Sequence, residues 1–401
     1  MPPFLFPGYK NRDGSGAYQT GFMMAQATIR RGSRCSTAKA FLRPVRMRKN
    51  LHIAMHSHVL QVMIDPLTRQ AYAVKFERKG KIYIIHATKE IVLSAGSVNT
   101  PQLLMLSGIG PAEHLKDLNI PVIADLRVGD NLQDHIAAGG LVFTLEQPVS
   151  MVQSRFENLP SILRYAMFDS GPLTVPGGVE GLAWVNTKYA NSSDDWPDIE
   201  FHFVSGTPAA DGGAQIRRVH GVTDFVWDKY YAPIAYHDTW YVIPMLLRPK
   251  SVGYIRLASA DPYDKPLIFP NYLVDDQDVR VLVEGVKIGL ALGETAAFKQ
   301  FGSKFYAQPF PGCEHLPLWE DEYWACFIRH YSITIYHPTG TAKMGPIGDP
   351  TAVVDPELRV YGVHNLRVID CSIMPIEPSG NTNAPAVSIF IHSTFVVNLT
   401  F

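Results

Sequence analysis

Apolar and polar residues alternate with a period of two along one stretch of the first hundred residues. The alternation covers Leu51 to Met55, continues in VLQV at 59–62, and returns in YAVKF at 72–76 and IYII at 82–85. Turn residues separate these runs. A period of two is that of a half-buried strand, so the pattern predicts a β-meander.

The next apolar run, EIVL at 90–93, contains no alternation and predicts a strand buried in a parallel sheet. After the SAGS turn, Thr100 is predicted as a helix N-cap, with Pro101 in the first helical position and the helix running from Gln102 to Leu106. A Gly-containing turn from strand to helix gathers N–H groups at a positive helix end, which suits a phosphate. An ordinary βα turn is the alternative interpretation.

The middle of the chain, from Gly139 to about Ala325, has apolar runs separated by long loops rich in Pro, Gly and Asp. One clear helical pattern covers Asp276 to Leu292. These features predict an antiparallel sheet with helical cover, inserted as a second domain. The predicted strands are 140–145, 199–204, 240–246 and 253–257.

Past Tyr323 the pattern predicts a further helical stretch and a short strand at 366–370, and then a last helix with Asn383 as its N-cap. The apolar C-terminal run from Ala384 is too short for a membrane span and contains His392, so a buried helix is expected.

Composition and charge narrow the functional classes. The 401 residues are 46% hydrophobic and 18% charged, with a formal net charge of −1. The chain has no excess of positive charge that would indicate binding to nucleic acid or to an anionic membrane. The four cysteines are widely spaced and no CxxC or HExxH occurs, so no metal site is predicted. The first residues lack a signal-peptide pattern. The compartment stays open, although an extracellular location would suit a longer parent protein.

Two polar turns carry the candidate chemistry. YHPTGTAKMG at 336–345 places His337 in a turn rich in Pro, Gly and Thr, and GNTNAP at 380–385 opens the last helix. A histidine titrates near neutrality and suits a general base. The second turn offers a hydrogen-bonding amide beside a helix N-terminus. Taken alone, a single histidine more often has a structural role.

The motifs together resemble the glucose-methanol-choline (GMC) flavoprotein oxidoreductases, most closely their insect glucose-dehydrogenase-like branch. The resemblance extends from about Asp13 to Phe390. It rests on RGSRCSTAKAFLRPVRMRKNLHI at 31–53, KEIVLSAGSVNTPQLLMLSGIGP at 89–111, VGDNLQDH at 128–135, and YHPTGTAKMG with LRVIDCSIMP and GNTNAP.

The resemblance implies an FAD-dependent enzyme that oxidises CH–OH groups of an alcohol or sugar, with a quinone or oxygen as electron acceptor. His337 would accept the hydroxyl proton while hydride passes to flavin N5, and Asn383 would hold the alkoxide oxygen. The flavin would supply the redox chemistry. The resemblance also implies the FAD contacts, which are Val59, Ala95, Gly96, Asp370, Cys371, Asn383, Ala384 and Pro385.

The expected fold class is α/β, with an incomplete FAD-binding Rossmann-like (doubly wound) domain and an antiparallel-sheet α+β substrate domain. The first part of the FAD domain is expected at 1–138, the substrate domain at 139–325, and the return to the FAD domain at 326–401. Cys371 stands where the family has a small Ala or Gly. Because cysteine is also small, we interpret it as tolerated and not as a redox thiol.

One part of the family pattern is not found in this sequence. The family's first βαβ unit carries GxGxxG, whereas Gly14-x-Gly16 and Gly108-x-Gly110 are followed by Gln19 and Glu113 at the third glycine position. The chain is therefore expected to lack that segment. Two hypotheses follow: an FAD-dependent alcohol dehydrogenase represented incompletely, or an FAD-free inactive protein that acts at most as a binding or structural module.

Overall fold

The computed structural model describes residues 11–14, 16–175, 177–191 and 193–396, with the backbone alone for 392–396. The strands are β1 (Gly21–Met24), β2 (Ile29–Arg30), β3 (Ser33–Arg34), β4 (Ser57–Ile64), β5 (Ala71–Arg78), β6 (Lys81–His86), β7 (Ile91–Leu93), β8 (Ile109–Gly110), β9 (Ala124–Asp125), β10 (Ile136–Ala138), β11 (Leu141–Thr144), β12 (Val179–Val185), β13 (Ile199–Val204), β14 (Thr239–Leu246), β15 (Tyr254–Arg256), β16 (Leu267–Phe269), β17 (Lys304–Phe305), β18 (Ser332–Thr334) and β19 (Leu366–Val368).

The α-helices are α1 (Gly96–Leu106), α2 (Ala112–Asp117), α3 (Gln153–Phe156), α4 (Leu159–Phe168), α5 (Ile216–Val219), α6 (Asp224–Val226), α7 (Asp276–Gly293), α8 (Ala296–Lys299), α9 (Asp321–His330) and α10 (Asn383–Val396). Short 3-10 and π-helical turns cover Ala38–Leu42, Arg43–Val45, Pro172–Thr174, Trp227–Tyr231, Ala232–Ile234 and Cys371–Ile373.

The chain divides into two compact units. The sheet unit contains the described residues up to Leu51, together with Ile136–Arg248 and Asp276–Ile333. The meander unit contains His52–His135, Pro249–Asp275 and the described residues from Thr334 onward.

The sheet unit is built on an antiparallel sheet in the order β1-β12-β13-β14-β10-β18, with β11 pairing both β14 and β17. The prediction of an antiparallel sheet with helical cover is confirmed, but the predicted strand at 253–257 is not part of it, because β15 pairs with β16 in a separate two-stranded sheet. Helix α7 packs on one face of this sheet, where Phe201 and Val242 are fully buried. The alternating side chains of β13 place Glu200 and His202 on the other face.

Three glycines of α7 allow the helix to lie close to the sheet. Gly285, Gly289 and Gly293 recur every four residues and therefore share one helix face. A Cβ at Gly293 would lie 2.1 Å from the ring of Phe143, whereas a Cβ at Gly285 would lie 3.1 Å from the flexible end of Ile199. The close approach is therefore most constrained at the C-terminal end of the helix.

A disulfide joins two of the four cysteines in the sheet unit. Cys313, in a turn, is bonded to Cys326 of α9. His330 follows Cys326 by one helical turn, and its Nδ1 lies 3.5 Å from the Cys326 sulfur and 3.8 Å from the Cys313 sulfur. The sequence left this pairing open, since the spacing of the cysteines does not fix their partners.

The meander unit contains the predicted three-stranded antiparallel meander, in the order β4-β5-β6. The extension of the first strand back to Leu51 is wrong, because residues 51–55 form no strand. Ile53 and Met55 are more than half exposed, so the alternation there has no buried face to support pairing. The prediction of a parallel sheet after the meander is confirmed, since β7 pairs in parallel with β19.

Helix α1 begins earlier than predicted, at Gly96, and Thr100 is not its N-cap. The carboxylate of Asp370 accepts from the Gly96 N–H at 2.9 Å and from the Thr100 hydroxyl at 2.6 Å. A carboxylate at this end satisfies a helix N–H group and complements the helix dipole. The distant Asp370 therefore sets the start of the helix, which local sequence could not show.

Pro101 consequently lies inside α1, where its missing N–H leaves the carbonyl of Ser97 without its helical donor. The hydroxyl of Thr341 donates to that carbonyl at 2.7 Å. The interaction satisfies a buried acceptor and fixes the TGT part of the His337 turn against the helix.

The last helix, α10, begins at Asn383 itself, so the predicted N-cap is its first residue. The expectation that this helix is buried is not met, because Phe390 is 52% and Ile391 44% exposed. Strand β6 is also apolar and exposed, with its four central side chains, Ile82 to Ile85, between 45% and 59% accessible. Contiguous apolar exposure of this kind marks a surface suited to further packing.

The compact units group the chain differently from the predicted segments 1–138, 139–325 and 326–401. The described residues up to Leu51 belong to the sheet unit because β1 pairs along its length with β12. Pro249–Asp275 belongs to the meander unit because Gly253 exchanges two backbone hydrogen bonds with Leu132, at 3.0 and 2.8 Å.

Substitution of Gly293 by alanine is expected to destabilise the protein by about 1–3 kcal/mol, because the added methyl group overpacks the buried Phe143 ring. Gly285→Ala is the matched control, since the gain in helix propensity of about 1 kcal/mol offsets its milder contact. Thermal unfolding monitored by circular dichroism measures the difference. Equal midpoints for the two variants would show that the close approach at Gly293 does not constrain the fold.

Candidate functional site

The turn that carries His337 is paired with the VGDNLQDH segment, both in the meander unit. Gln133 and Thr339 exchange backbone hydrogen bonds at 3.2 and 2.8 Å, and Gly129 N donates to the carbonyl of Thr341 at 2.8 Å. These bonds hold two stretches that lie about two hundred residues apart in sequence. The side chains at the end of the first stretch therefore meet His337.

Gly340 allows this pairing. Its φ of +88° favours glycine, and a Cβ would lie 2.3 Å from the carbonyl oxygen of Asn131. The Asn131 amide donates to the carbonyls of Gly340 and Pro375, both at 3.3 Å. One asparagine thus joins the His337 turn to the segment that leads toward GNTNAP.

The ring of His337 is buried, with 7% of the residue exposed, and both its nitrogens have a defined neighbour. Nδ1 lies 3.0 Å from Nδ1 of His135, with the two rings edge to face. Nε2 lies 3.4 Å from the amide nitrogen of Asn381. The imidazole is therefore fixed on both sides, as a positioned general base requires.

Asp134 fixes the backbone of His337. Its carboxylate accepts from the His337 N–H at 2.9 Å, from the Thr334 hydroxyl at 2.5 Å, and from the Tyr272 hydroxyl. Burial raises the pKa of Asp134, and these hydrogen bonds oppose the rise. Burial, followed by the charge of Asp134, raises the pKa of Tyr272 well above its usual value, so Tyr272 is a hydrogen-bond donor at neutral pH.

A second buried carboxylate lies beside His135. Glu377 is 1% exposed, and its Oε1 lies 3.7 Å from Nδ1 of His135. Its backbone N–H donates to the Gln133 side chain at 3.3 Å. The site therefore combines two imidazoles and two carboxylates from the segments around 134 and 337 and from the residues before GNTNAP.

The amide of Asn381 lies 3.4 Å from Nε2 of His337. The sequence predicted that Asn383, two residues further along in GNTN, holds the alkoxide oxygen of the substrate. Asn383 is exposed at the start of α10. Its role toward substrate stays a prediction.

Four of the residues predicted to hold the cofactor come together at the carboxyl ends of β7 and β19. Ala95 and Gly96 follow β7, and Asp370 and Cys371 follow β19, with the Gly96–Asp370 hydrogen bond between them. Ligands of open parallel sheets bind at this end of the strands. Gly96 has φ +80°, and a Cβ there would meet no atom within 4 Å, so space is present above the turn.

The remaining predicted cofactor residues lie in two other places. Asn383, Ala384 and Pro385 open α10, which packs beside the Cys371–Ile373 turn. Val59 lies in β4, where it pairs with Phe76 of β5.

Burial, and then the charge of Asp370, raises the pKa of the Cys371 thiol to about 11. A protonated thiol is a poor nucleophile and a poor redox partner, which agrees with the interpretation of Cys371 as a small packing residue.

Sequence reasoning missed Asp134, His135, Glu377 and Asn381. VGDNLQDH was visible as a polar turn. The signal for Asp134 and His135 was that this turn ends in an acidic residue followed by a histidine. Glu377 lies in a Pro-rich stretch that gave no signal. Its contact with His135 depends on the tertiary pairing.

A glycine turn at the carboxyl ends of two parallel strands is a place where nucleotide cofactors bind, and the His337 turn packs against it. The comparison with protein families agrees. Residues 7–137 match the N-terminal model of the GMC oxidoreductases, and residues 249–389 match the C-terminal model. The chain belongs to the GMC oxidoreductase family.

Curated relatives include the glucose dehydrogenase [FAD, quinone] of Drosophila pseudoobscura pseudoobscura, 39% identical over 386 residues, which are 95% of this chain and 58% of the relative. The alcohol dehydrogenase [acceptor] of Pseudomonas putida is 37% identical over 94% of this chain and 64% of its own length. This chain therefore spans less than two thirds of these relatives.

Solved structures share the fold. Formate oxidase of Aspergillus oryzae RIB40 matches with a TM-score of 0.79 and 26% identity, over 95% of this chain and 66% of the other. Pyridoxine 4-oxidase of Mesorbium loti matches with a TM-score of 0.76 and 26% identity, over 96% and 65%. Among the residues that the structure describes, no helix has the length and apolarity needed to cross a membrane.

Asp134→Asn is expected to change how stability depends on pH. The pKa of Asp134 is higher in the folded protein, so its contribution to stability is complete below about pH 3.8 and declines as the pH rises through the folded value. The variant lacks this decline. Its free energy of unfolding is about 1–3 kcal/mol lower at every pH, because one of the three donors loses its acceptor.

Denaturant unfolding of both proteins from pH 3 to pH 7 measures the effect. The stability advantage of the wild type should narrow as the pH rises. An advantage that grows with pH would mean that the pKa of Asp134 is lowered on folding.

Proposed function

We propose that this chain carries the proton-accepting and part of the cofactor-binding machinery of an FAD-dependent oxidoreductase that acts on CH–OH groups of alcohols or sugars. The observation that carries the proposal is the fixing of His337, whose backbone is held by Asp134 and whose ring lies between His135 and Asn381. The relatives named for glucose and for alcohol support the substrate class, and a quinone or oxygen is the proposed electron acceptor.

The residues at the glycine turn fit the flavin nucleotide. Gly96 leaves space above the turn, and the backbone around Ala95 and Cys371 lies at the strand ends where such groups bind. The start of α10 adds a helix N-terminus, which favours negative charge. These residues, with Asp370 and Val59, would hold FAD, which when bound supplies the hydride acceptor that no side chain offers.

His337 is the base in this proposal. Because the Asn381 amide donates to Nε2, that nitrogen carries a lone pair when no alcohol is bound. The hydroxyl of a bound alcohol would replace the amide as the donor to Nε2, which would then accept the hydroxyl proton. Asn381 lies close enough to that nitrogen to hydrogen-bond the oxygen that loses the proton. Burial of the ring excludes water from the transferred proton.

A second candidate function is a binding module without flavin. It is favoured by the apolar exposed strand β6, which offers a surface for another polypeptide. Flavin binding separates the two candidates. The purified chain is incubated with FAD and desalted, and its visible absorption is recorded. Retained flavin near a 1:1 ratio supports the oxidoreductase; a colourless protein supports the binding module.

His337→Ala in the flavin-loaded protein is expected to slow alcohol-dependent bleaching by about 10²–10⁴-fold, because the general base is lost. The flavin content should be unchanged, since His337 is not among the residues proposed to hold it. His315→Ala, at an exposed histidine in the sheet unit, is the control. Bleaching at the wild-type rate in His337→Ala would remove His337 from the mechanism.

The two asparagines of GNTN can be separated by the same assay. Asn381→Ala is expected to slow bleaching more than tenfold, because it removes the amide that faces Nε2 of His337. Asn383→Ala is the matched variant and should retain most of the rate if Asn381 is the functional amide. If Asn383→Ala slows bleaching more than Asn381→Ala does, Asn383 is the functional amide.

A further inference from the structure

The contact between His135 and His337 requires a proton. Two imidazole nitrogens that are 3.0 Å apart repel one another if both carry lone pairs or both carry hydrogens. The neutral pair therefore holds one proton between the two Nδ1 atoms. That proton belongs to one ring or to the other, and its position decides what the opposite nitrogen of each ring can do.

Asn381 selects one of the two arrangements. Its amide nitrogen lies 3.4 Å from Nε2 of His337 and donates to it, so Nε2 has the lone pair and Nδ1 has the hydrogen. His337 Nδ1–H then donates to Nδ1 of His135. In neutral His135 the hydrogen consequently lies on Nε2.

Glu377 lies beside the His135 member of the pair. Its Oε1 is 3.7 Å from Nδ1 of His135, and both residues are almost completely buried. A charged carboxylate at this distance in a buried site favours positive charge on the neighbouring imidazole. The charge is therefore favoured on His135, one ring away from the nitrogen that faces Asn381.

We propose that His135 and Glu377 form a buried relay that takes over the proton accepted by His337. The O–H bond of the alcohol breaks and a bond forms to Nε2 of His337. The Nδ1–H bond of His337 breaks and one forms to Nδ1 of His135. His337 ends neutral, and the positive charge rests on His135 beside the Glu377 carboxylate. The alcohol as proton source rests on the proposed function.

The other titratable groups around the pair do not compete for this proton. Asp134 faces the backbone of His337 and is occupied by three donors. Tyr272 donates to Asp134, and burial keeps its hydroxyl protonated. Cys371, which is affected by the charge of Glu377, has a pKa of about 11 and is also protonated at neutral pH. Among these groups, His135 is the one that takes the proton from His337, and Glu377 is the one that balances the resulting charge.

The test is long-range ¹H–¹⁵N NMR of the full chain labelled with ¹⁵N-histidine, titrated with acid. His135→Gln and His337→Gln assign the two sets of signals. At high pH the expected forms are His337 with hydrogen on Nδ1 and His135 with hydrogen on Nε2. On acidification His135 should become doubly protonated while the hydrogen of His337 moves to Nε2.

Glu377→Gln keeps the shape of the side chain and removes its charge. The affinity of the histidine pair for the added proton should fall at least tenfold, which moves the titration midpoint by one pH unit or more. Glu200→Gln is the matched control, because Glu200 is equally buried and lies 3.1 Å from His202 on β13. It should leave the signals of His135 and His337 unchanged.

Two results would overturn the relay. One is a charge that stays on His337 at low pH while His135 keeps its neutral form. The other is a midpoint that Glu377→Gln leaves in place or that Glu200→Gln moves equally.

The NMR experiment uses neither flavin nor alcohol, so it can fail independently of the proposed function. If the protein bleaches flavin but the NMR titration shows no relay, the proposed oxidoreductase function stands and the relay is wrong. If the titration shows the relay but the protein retains no flavin, the histidine pair stands and the alcohol is not its proton source.

Discussion

The candidate site depends on the backbone pairing of residues 129–133 with residues 339–341. Gln133 and Thr339 exchange hydrogen bonds, and Gly129 bonds Thr341. Main-chain bonds fix the relative position of two segments more rigidly than side-chain contacts do, because they order the backbone itself. Asp134 and His135 come directly after the paired residues of the first segment, and His337 comes just before those of the second. The backbone pairing therefore brings these three side chains together.

The same pairing connects the site to the glycine turn at Ala95 and Gly96. The Thr341 hydroxyl donates to the Ser97 carbonyl, which has no helical donor because of Pro101. The backbone N–H of Gly340 donates to the carbonyl of Cys371 at 3.3 Å. Asp370 in turn holds the first N–H of α1. A change in the TGT turn would therefore alter the start of α1 and the strand end at Cys371 together. Packing of this kind transmits displacements, since close-packed interiors have little free volume.

The sequence predicted the elements whose signals are local. The meander was visible because β4 and β5 have buried positions at which apolar residues recur. Helix α7 was visible because its apolar face recurs over eighteen residues. The resemblance to a known family located the His337 turn and the glycine turn, which local pattern alone left ambiguous.

The sequence could not predict what long-range contacts decide. Helix α1 starts at Gly96 because the distant Asp370 accepts from it, against the local preference of Thr100 and Pro101. The position of the Asn381 amide, 3.4 Å from Nε2 of His337, likewise depends on the path of the chain into α10, which the sequence of GNTN does not show. Glu377 has no sequence signal at all, because its contact with His135 exists only after the segments pair.

The two buried carboxylates of the site have different physical roles. Burying a carboxylate is costly unless hydrogen bonds or an opposite charge compensate it. Asp134 is compensated by one N–H and two hydroxyls, which are fixed donors, so its state changes little when a proton enters the site. Glu377 lies beside His135, whose imidazole would become positive in the proposed relay. In that relay, the added charge is balanced at Glu377, while the donors that hold Asp134 stay as they are. The proposed role of His337 as a base requires both: a place for the positive charge and a backbone that keeps its geometry.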